Sequence, residues 1–102
     1  NELLSDLNVI LPGERDGVNV NWYLYTIATK NRNKLIKQLN AQGIGATAYY
    51  AIPVHKTPFY KKNLKLPLTE WAADSVLSIP VNPLVTENNL HYISEALHKL
   101  IA

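Results

Sequence analysis

The densest concentration of chemically capable side chains is the run Tyr49-Tyr50-Ala51-Ile52-Pro53-Val54-His55-Lys56-Thr57-Pro58-Phe59-Tyr60. His55 can donate, accept or carry charge near neutral pH, and Lys56 is a point charge suited to phosphate. Tyr49 and Tyr50 add flat apolar surface with a polar tip. Such groups together suit an anion that also carries a polar ring. The run lies in a stretch between Gly17 and Thr69 that has no Asp or Glu but holds Lys30, Arg32, Lys34, Lys37, Lys56, Lys61, Lys62 and Lys65. The folded domain is therefore expected to turn a positive region toward an anionic visitor. A structural account stays open beside this one. In it the tyrosines pack at the edge of the core, the prolines stiffen a connection and the lysines are solvated.

Three other constellations offer chemistry. His91, Glu95 and His98 fall at i, i+4 and i+7 of a helical segment, so they share one side of it in the manner of metal ligands. No fourth ligand follows nearby and no HExxH pattern occurs, so a solvated helix face is the expected reading and no metal is assigned. Trp22, Tyr23 and Tyr25 beside cationic residues could stack on nucleic-acid bases. Their spacing in a strand-like segment favours core packing instead. Gly43-Ile44-Gly45 is a fragment of a phosphate-binding pattern and reads as a helix stop. No self-sufficient catalytic set is present, and no catalytic or cofactor-binding residue is assigned within the chain.

The elements that must position these groups fit one domain. A chain of 102 residues buries roughly 65% of its unfolded surface, enough for one modest core. A net charge of +2 does not by itself call for nucleic acid or a membrane. Cysteine is absent, which excludes a disulfide framework and fits a reducing, cytoplasmic setting, and no apolar run reaches membrane-spanning length. Residues 1–7 have helical apolar spacing at Leu3, Leu4 and Leu7 but begin abruptly. Methionine is missing throughout, so a piece of a larger protein is expected.

Val9-Ile10-Leu11 is a short strand-like run, and residues 20–29, rich in aromatic and β-branched types, predict the central strand. Asn31 is the expected cap of a helix whose stripe is Leu35, Ile36 and Leu39 and whose stop is Gly43. Residues 44–49 predict another strand. The prolines and lysines from Pro53 to Pro67 predict an ordered, irregular loop with a helical turn near 58–61. Thr69 is the expected cap of a helix with Trp71, Ala72, Val76 and Leu77 on its apolar side, ending at Ser78-Ile79-Pro80. Thr86 is the expected cap of a last helix carrying Leu90, Ile93, Leu97, Leu100 and Ile101. The fold class is α+β: a small, mainly antiparallel sheet of about three strands covered by helices.

Taken in order, Trp22-Tyr23-Leu24-Tyr25, the helix at 33–42, Gly43-Ile44-Gly45-Ala46, Tyr49-Tyr50-Ala51-Ile52-Pro53-Val54-His55, and Val76-Leu77-Ser78-Ile79-Pro80-Val81-Asn82-Pro83 with Thr86-Glu87 resemble one family. It is the C-terminal small domain of the DegT/DnrJ/EryC1/StrS aminotransferases, fold-type I pyridoxal-phosphate enzymes that place an amino group on nucleotide-linked keto-sugars. The resemblance spans the chain, with residues 1–102 as that single small domain and 1–7 as the end of the helix entering it. It implies that pyridoxal phosphate and the catalytic lysine belong to an N-terminal large domain. It also implies a nucleotide-diphosphate keto-sugar and an amino-acid amino donor as partners, and a homodimer at full length. Tyr49-Tyr50, Pro53 and His55 map onto the family segment lining the sugar-nucleotide side of the cleft, so His55, Tyr50 and Tyr49 are the implied substrate contacts. Tyr49 stands where a histidine is usual, Asn21-Trp22 where a histidine is common, and Lys56-Thr57 where a leucine-glutamine pair is usual. Two alternatives are a small basic nucleic-acid-binding module, with the positive block as its footprint, and a non-catalytic structural or dimerisation domain.

Overall fold

The computed structural model describes residues 1–101. Strand β1 (Tyr25–Ala28) leads to helix α1 (Arg32–Ala41), and helix α2 (Pro67–Ser75) runs directly into strand β2 (Val76–Ile79), followed by helix α3 (Glu87–Ile101). Single 3-10 turns at Glu2–Leu4 and Val54–Lys56 complete the described elements. The class is α+β, as the patterning predicts. Among the described residues no helix is long and apolar enough to cross a membrane.

The sheet is narrower than expected. β1 and β2 pair antiparallel, Tyr25 opposite Ile79 and Ile27 opposite Leu77. Thr26 and Ser78 face each other as a non-hydrogen-bonded pair whose hydroxyl oxygens lie 2.8 Å apart. The predicted strands on either side shrink to one bridge each, Ile10 with Ala28 and Thr47 with Ser78. Residues 44–49 do not extend the second bridge: its register sets Gly45 opposite Pro80, which has no N–H to give, and Tyr49 opposite Val76, whose N–H goes to the Ala72 carbonyl and whose carbonyl takes the Arg32 Nη1. Similarly, the aromatic stretch 20–29 becomes strand only from Tyr25. Trp22 has a left-handed backbone (φ 52°), and the Asn21 Oδ1 accepts the Tyr23 N–H at 3.1 Å, a local turn that competes with pairing.

The helix expected to run through Val76 and Leu77 ends at Ser75, and those two residues open β2. Arg32 reaches across from the first residue of α1, its Nη1 donating to the Val76 carbonyl and its Nη2 to the Ala73 carbonyl, both at 2.7 Å. The Thr29 N–H takes the Ser75 carbonyl at 3.0 Å. Two of these carbonyls, those of Ala73 and Ser75, are ones that a longer helix would have bonded internally. At its other end α2 begins with Pro67, two residues before the expected cap Thr69, because proline suits a first turn that needs no donor. Asn31 does stand at the cap position of α1, but with a left-handed backbone and no side-chain cap bond. Within residues 1–7 one 3-10 turn forms, at Glu2–Leu4.

α1 and α3 meet expectation more closely. Gly43 stops α1 with φ 76°, a conformation that a side chain resists. Thr86 and Asn89 cap α3 reciprocally, each backbone N–H bonded to the other's side-chain oxygen at 3.0 and 3.2 Å. Leu35 and Leu39 of α1, Ile27, Leu77, and Ile93 and Leu97 of α3 close a single core between helices and sheet. The Tyr92 hydroxyl donates to the Gln42 carbonyl at 2.8 Å, fastening α3 to the end of α1.

Candidate functional site

Beyond the Thr47 bridge the chain leaves the sheet and turns at Tyr49 and Tyr50, and both rings stand in solvent at 60% and 84% exposure. That overturns the reading of these tyrosines as core-edge packing. Their hydroxyls and faces are open to a ligand. Pro53 sets the chain extended, and the following 3-10 turn brings His55 inward until only 8% of it is exposed.

The loop is wired to itself. The Lys56 N–H donates to the Pro53 carbonyl at 2.9 Å, the Thr57 hydroxyl to the Val54 carbonyl at 2.7 Å, and the Lys61 N–H to the Thr57 carbonyl at 2.9 Å. The Lys62 N–H closes the circuit on the His55 carbonyl at 2.8 Å. The predicted helical turn near 58–61 is this turn on Thr57, with the Phe59 and Tyr60 rings packed edge to face at 4.9 Å.

Glu70, in the first turn of α2, meets the loop from the opposite side. Its Oε1 lies 2.7 Å from the Lys56 Nζ and 3.4 Å from the His55 Nε2. The Lys56 hydrogen bond is the main reason its carboxyl stays below the usual range, with His55 adding to it against partial desolvation. His55 thus turns its Nε2 to Glu70, while Tyr49 and Tyr50 remain free. Sequence reasoning named the histidine and passed over its partner. The signal was there: Glu70 is the first acid after the acid-free stretch.

The members of the basic block have different surroundings. Arg32 is 3% exposed and serves the carbonyls of α2 and β2, leaving its Nε without a partner. Lys56 is neutralised by Glu70, while Lys61, Lys62 and Lys65 are exposed in the loop's descending arm. Lys30 and Lys34 border a separate cleft of about 430 Å³ with Asn31, Gln38 and Trp71. A second, more apolar cleft of about 750 Å³ runs between Leu3, Trp22, Tyr25, Val81 and Leu90. There Trp22 is half-buried, its ring 5.6 Å from that of Tyr25. Tyr23 is 84% exposed, so core packing does not account for it.

On α3, His98 has partners of its own. Its Nε2 pairs with the Asp6 Oδ1 at 2.9 Å and its Nδ1 faces the Ser94 carbonyl at 2.8 Å. With an acceptor at each ring nitrogen, the Ser94 carbonyl foremost, the imidazole is pushed above its usual range, and Asp6 is lowered in turn. The Ser94 hydroxyl also donates to the Leu3 carbonyl at 3.0 Å, so the pair ties the N-terminal segment to α3.

Comparison with known proteins agrees along the chain. The model of the DegT/DnrJ/EryC1/StrS aminotransferase family matches residues 1–98. A dTDP-4-dehydro-2,3,6-trideoxy-D-glucose 4-aminotransferase of Saccharopolyspora spinosa is 30% identical over 103 residues, covering 97% of this chain and 26% of that protein. A DegT DnrJ EryC1 StrS aminotransferase from Brucella abortus shares the fold with a TM-score of 0.88 at 31% identity, covering 100% of this chain and 28% of the other. S. venezuelae DesV, solved in complex with a ketimine intermediate, gives 0.91 at 28% identity, with 98% and 28% covered. The chain spans little more than a quarter of the length of these relatives. The match of fold and sequence from end to end has one conclusion: the chain belongs to the DegT/DnrJ/EryC1/StrS aminotransferase family.

Proposed function

We propose that the chain is the C-terminal small domain of a longer pyridoxal-phosphate aminotransferase acting on nucleotide-linked keto-sugars, entered through residues 1–7 and forming one wall of the substrate cleft. The observation that carries this reading is the end-to-end likeness in fold to S. venezuelae DesV. The sugar class rests on the S. spinosa relative, whose name specifies a dTDP-linked dehydro-sugar. In this reading the parent works in the cytoplasm as a homodimer, with an amino acid as amino donor.

The residues of this chain do not fit the cofactor by themselves. Every lysine is exposed, and the one lysine paired with a carboxylate, Lys56, is half-exposed and serves the loop. Pyridoxal phosphate is therefore assigned to the N-terminal large domain, and no chemical step is given to this one. Its task is binding and orientation. Tyr50 and Tyr49 offer hydroxyls to the sugar or its phosphates and faces to the ring, and Lys61, Lys62 and Lys65 add positive potential. His55 seats the loop from beneath.

Tyr50 gives the sharpest test, because its ring is exposed and its loss disturbs no packing. In the full-length enzyme, Tyr50→Ala should raise KM for a dTDP-linked 4-keto-sugar about tenfold, on the scale of one lost hydrogen bond to a charged group. Cofactor absorbance and KM for the amino-acid donor should stay the same. An unchanged KM for the nucleotide sugar refutes the assignment.

A further inference from the structure

We propose that Glu70 is a positioning residue, a single carboxylate that latches the 53–62 loop to α2 and so fixes where Tyr49 and Tyr50 point. The latch rests on geometry, and the ligand it serves rests on the proposed function. From Ala48 to Lys65, every backbone hydrogen bond among the described residues stays within the stretch. The side-chain bond of Thr57 does so too. The links that leave it converge on one atom, the Glu70 Oε1, which takes Lys56 and faces His55. Between the Thr47 bridge at one end and α2 at the other, a loop knotted internally and held by one polar tie loosens as a unit once that tie is cut.

A carboxylate in the first turn of a helix also complements the helix dipole, and that role would need no loop. The two roles separate by cutting the latch from the other side. Lys56→Met removes the loop's charged arm without touching α2, and the Lys56 side chain is half-exposed, so the variant leaves the core intact. A helix-dipole role predicts no effect from Lys56→Met. A latch predicts that Lys56→Met and Glu70→Ala act alike, and that together they do little more than either alone.

The experiment uses the full-length protein with amide exchange over 53–66 and calorimetric titration with dTDP. Glu70→Ala and Lys56→Met should each speed exchange of the loop amides about three- to fivefold, the scale of a half-exposed ion pair. Glu70→Gln, which keeps an oxygen for the Lys56 ammonium, should restore part of the protection. The dTDP affinity should fall three- to tenfold in parallel with the loss of protection. Unchanged loop exchange in Lys56→Met, or in a folded Glu70→Ala, overturns the latch. Faster exchange with unchanged dTDP affinity leaves the latch standing and overturns the loop's place in the ligand site. Should Glu70→Ala fail to fold, Lys56→Met alone decides.

Discussion

Arg32 is where the fold is most exposed to a single substitution. The guanidinium is almost fully buried and spends two donors, each at 2.7 Å, on the carbonyls of Ala73 and Val76. Hydrogen bonds to a charged group contribute about 1.5–3 kcal/mol each, and the unpartnered Nε costs about 1–3 kcal/mol, so the net loss in Arg32→Ala comes to about 3 kcal/mol. The cost appears where α2 gives way to β2, and the reporters are two nearby amides. The Thr29 N–H is held by the Ser75 carbonyl at 3.0 Å and the Ser78 N–H by the Thr47 carbonyl at 2.8 Å. In the full-length protein, hydrogen exchange at both should quicken roughly a hundredfold, the equivalent of about 3 kcal/mol. Arg32→Lys, which keeps the charge but not the two-pronged donor, should lose about half as much. A change below threefold at both amides in Arg32→Ala would falsify the claim that this side chain decides where the helix ends.

The Asp6–His98 pair sets a pH window. His98 is raised, so its contribution to holding the N-terminal segment is complete below its ordinary value of 6.5 and is lost as pH rises through the folded value. Asp6 is lowered, so its contribution is complete above 3.8 and is lost as pH falls through the folded value. The tether is strongest between these limits. Asp6→Asn should bring the His98 titration, followed by its ring proton resonance, back toward the ordinary value, and an unmoved midpoint rejects the pairing. Thr86→Ala removes one half of the α3 cap and should cost about 1 kcal/mol, read as faster exchange in the first turn of α3 with the last turn unchanged.

The helices built on local rules were legible. Leu35 and Leu39 lie on the buried stripe of α1, Gly43 stops it in a left-handed conformation that only glycine adopts freely, and Thr86 caps α3. β2 was not, because Trp71, Ala72, Val76 and Leu77 satisfy helical spacing as written. What interrupts the helix is a side chain 41 residues upstream of the Ala73 carbonyl it takes. The same holds at the sheet margins. Residues 44–49 have strand composition, yet the groups of Val76 that would pair with them are taken by Ala72 and Arg32, and Pro80 has no N–H to offer. Local preference states what a segment can do, and the partners of its donors and carbonyls decide the outcome.

The candidate site shows the same division between residue type and role. Composition identified His55, Lys56 and the tyrosines as the groups able to meet a phosphorylated ring, and the structure brings all of them onto one loop. It also gives them different surroundings. The two groups with the strongest electrostatic credentials, His55 and Lys56, turn to Glu70, while the weaker phenols are left free. The difference follows from the acid-free stretch itself. A loop rich in cations and poor in acids finds no counter-ion nearby in sequence, so the first carboxylate beyond it becomes the point to which the fold fastens the loop. A charge pattern that reads along the chain as a binding surface thus becomes, in three dimensions, partly the means of holding that surface in place.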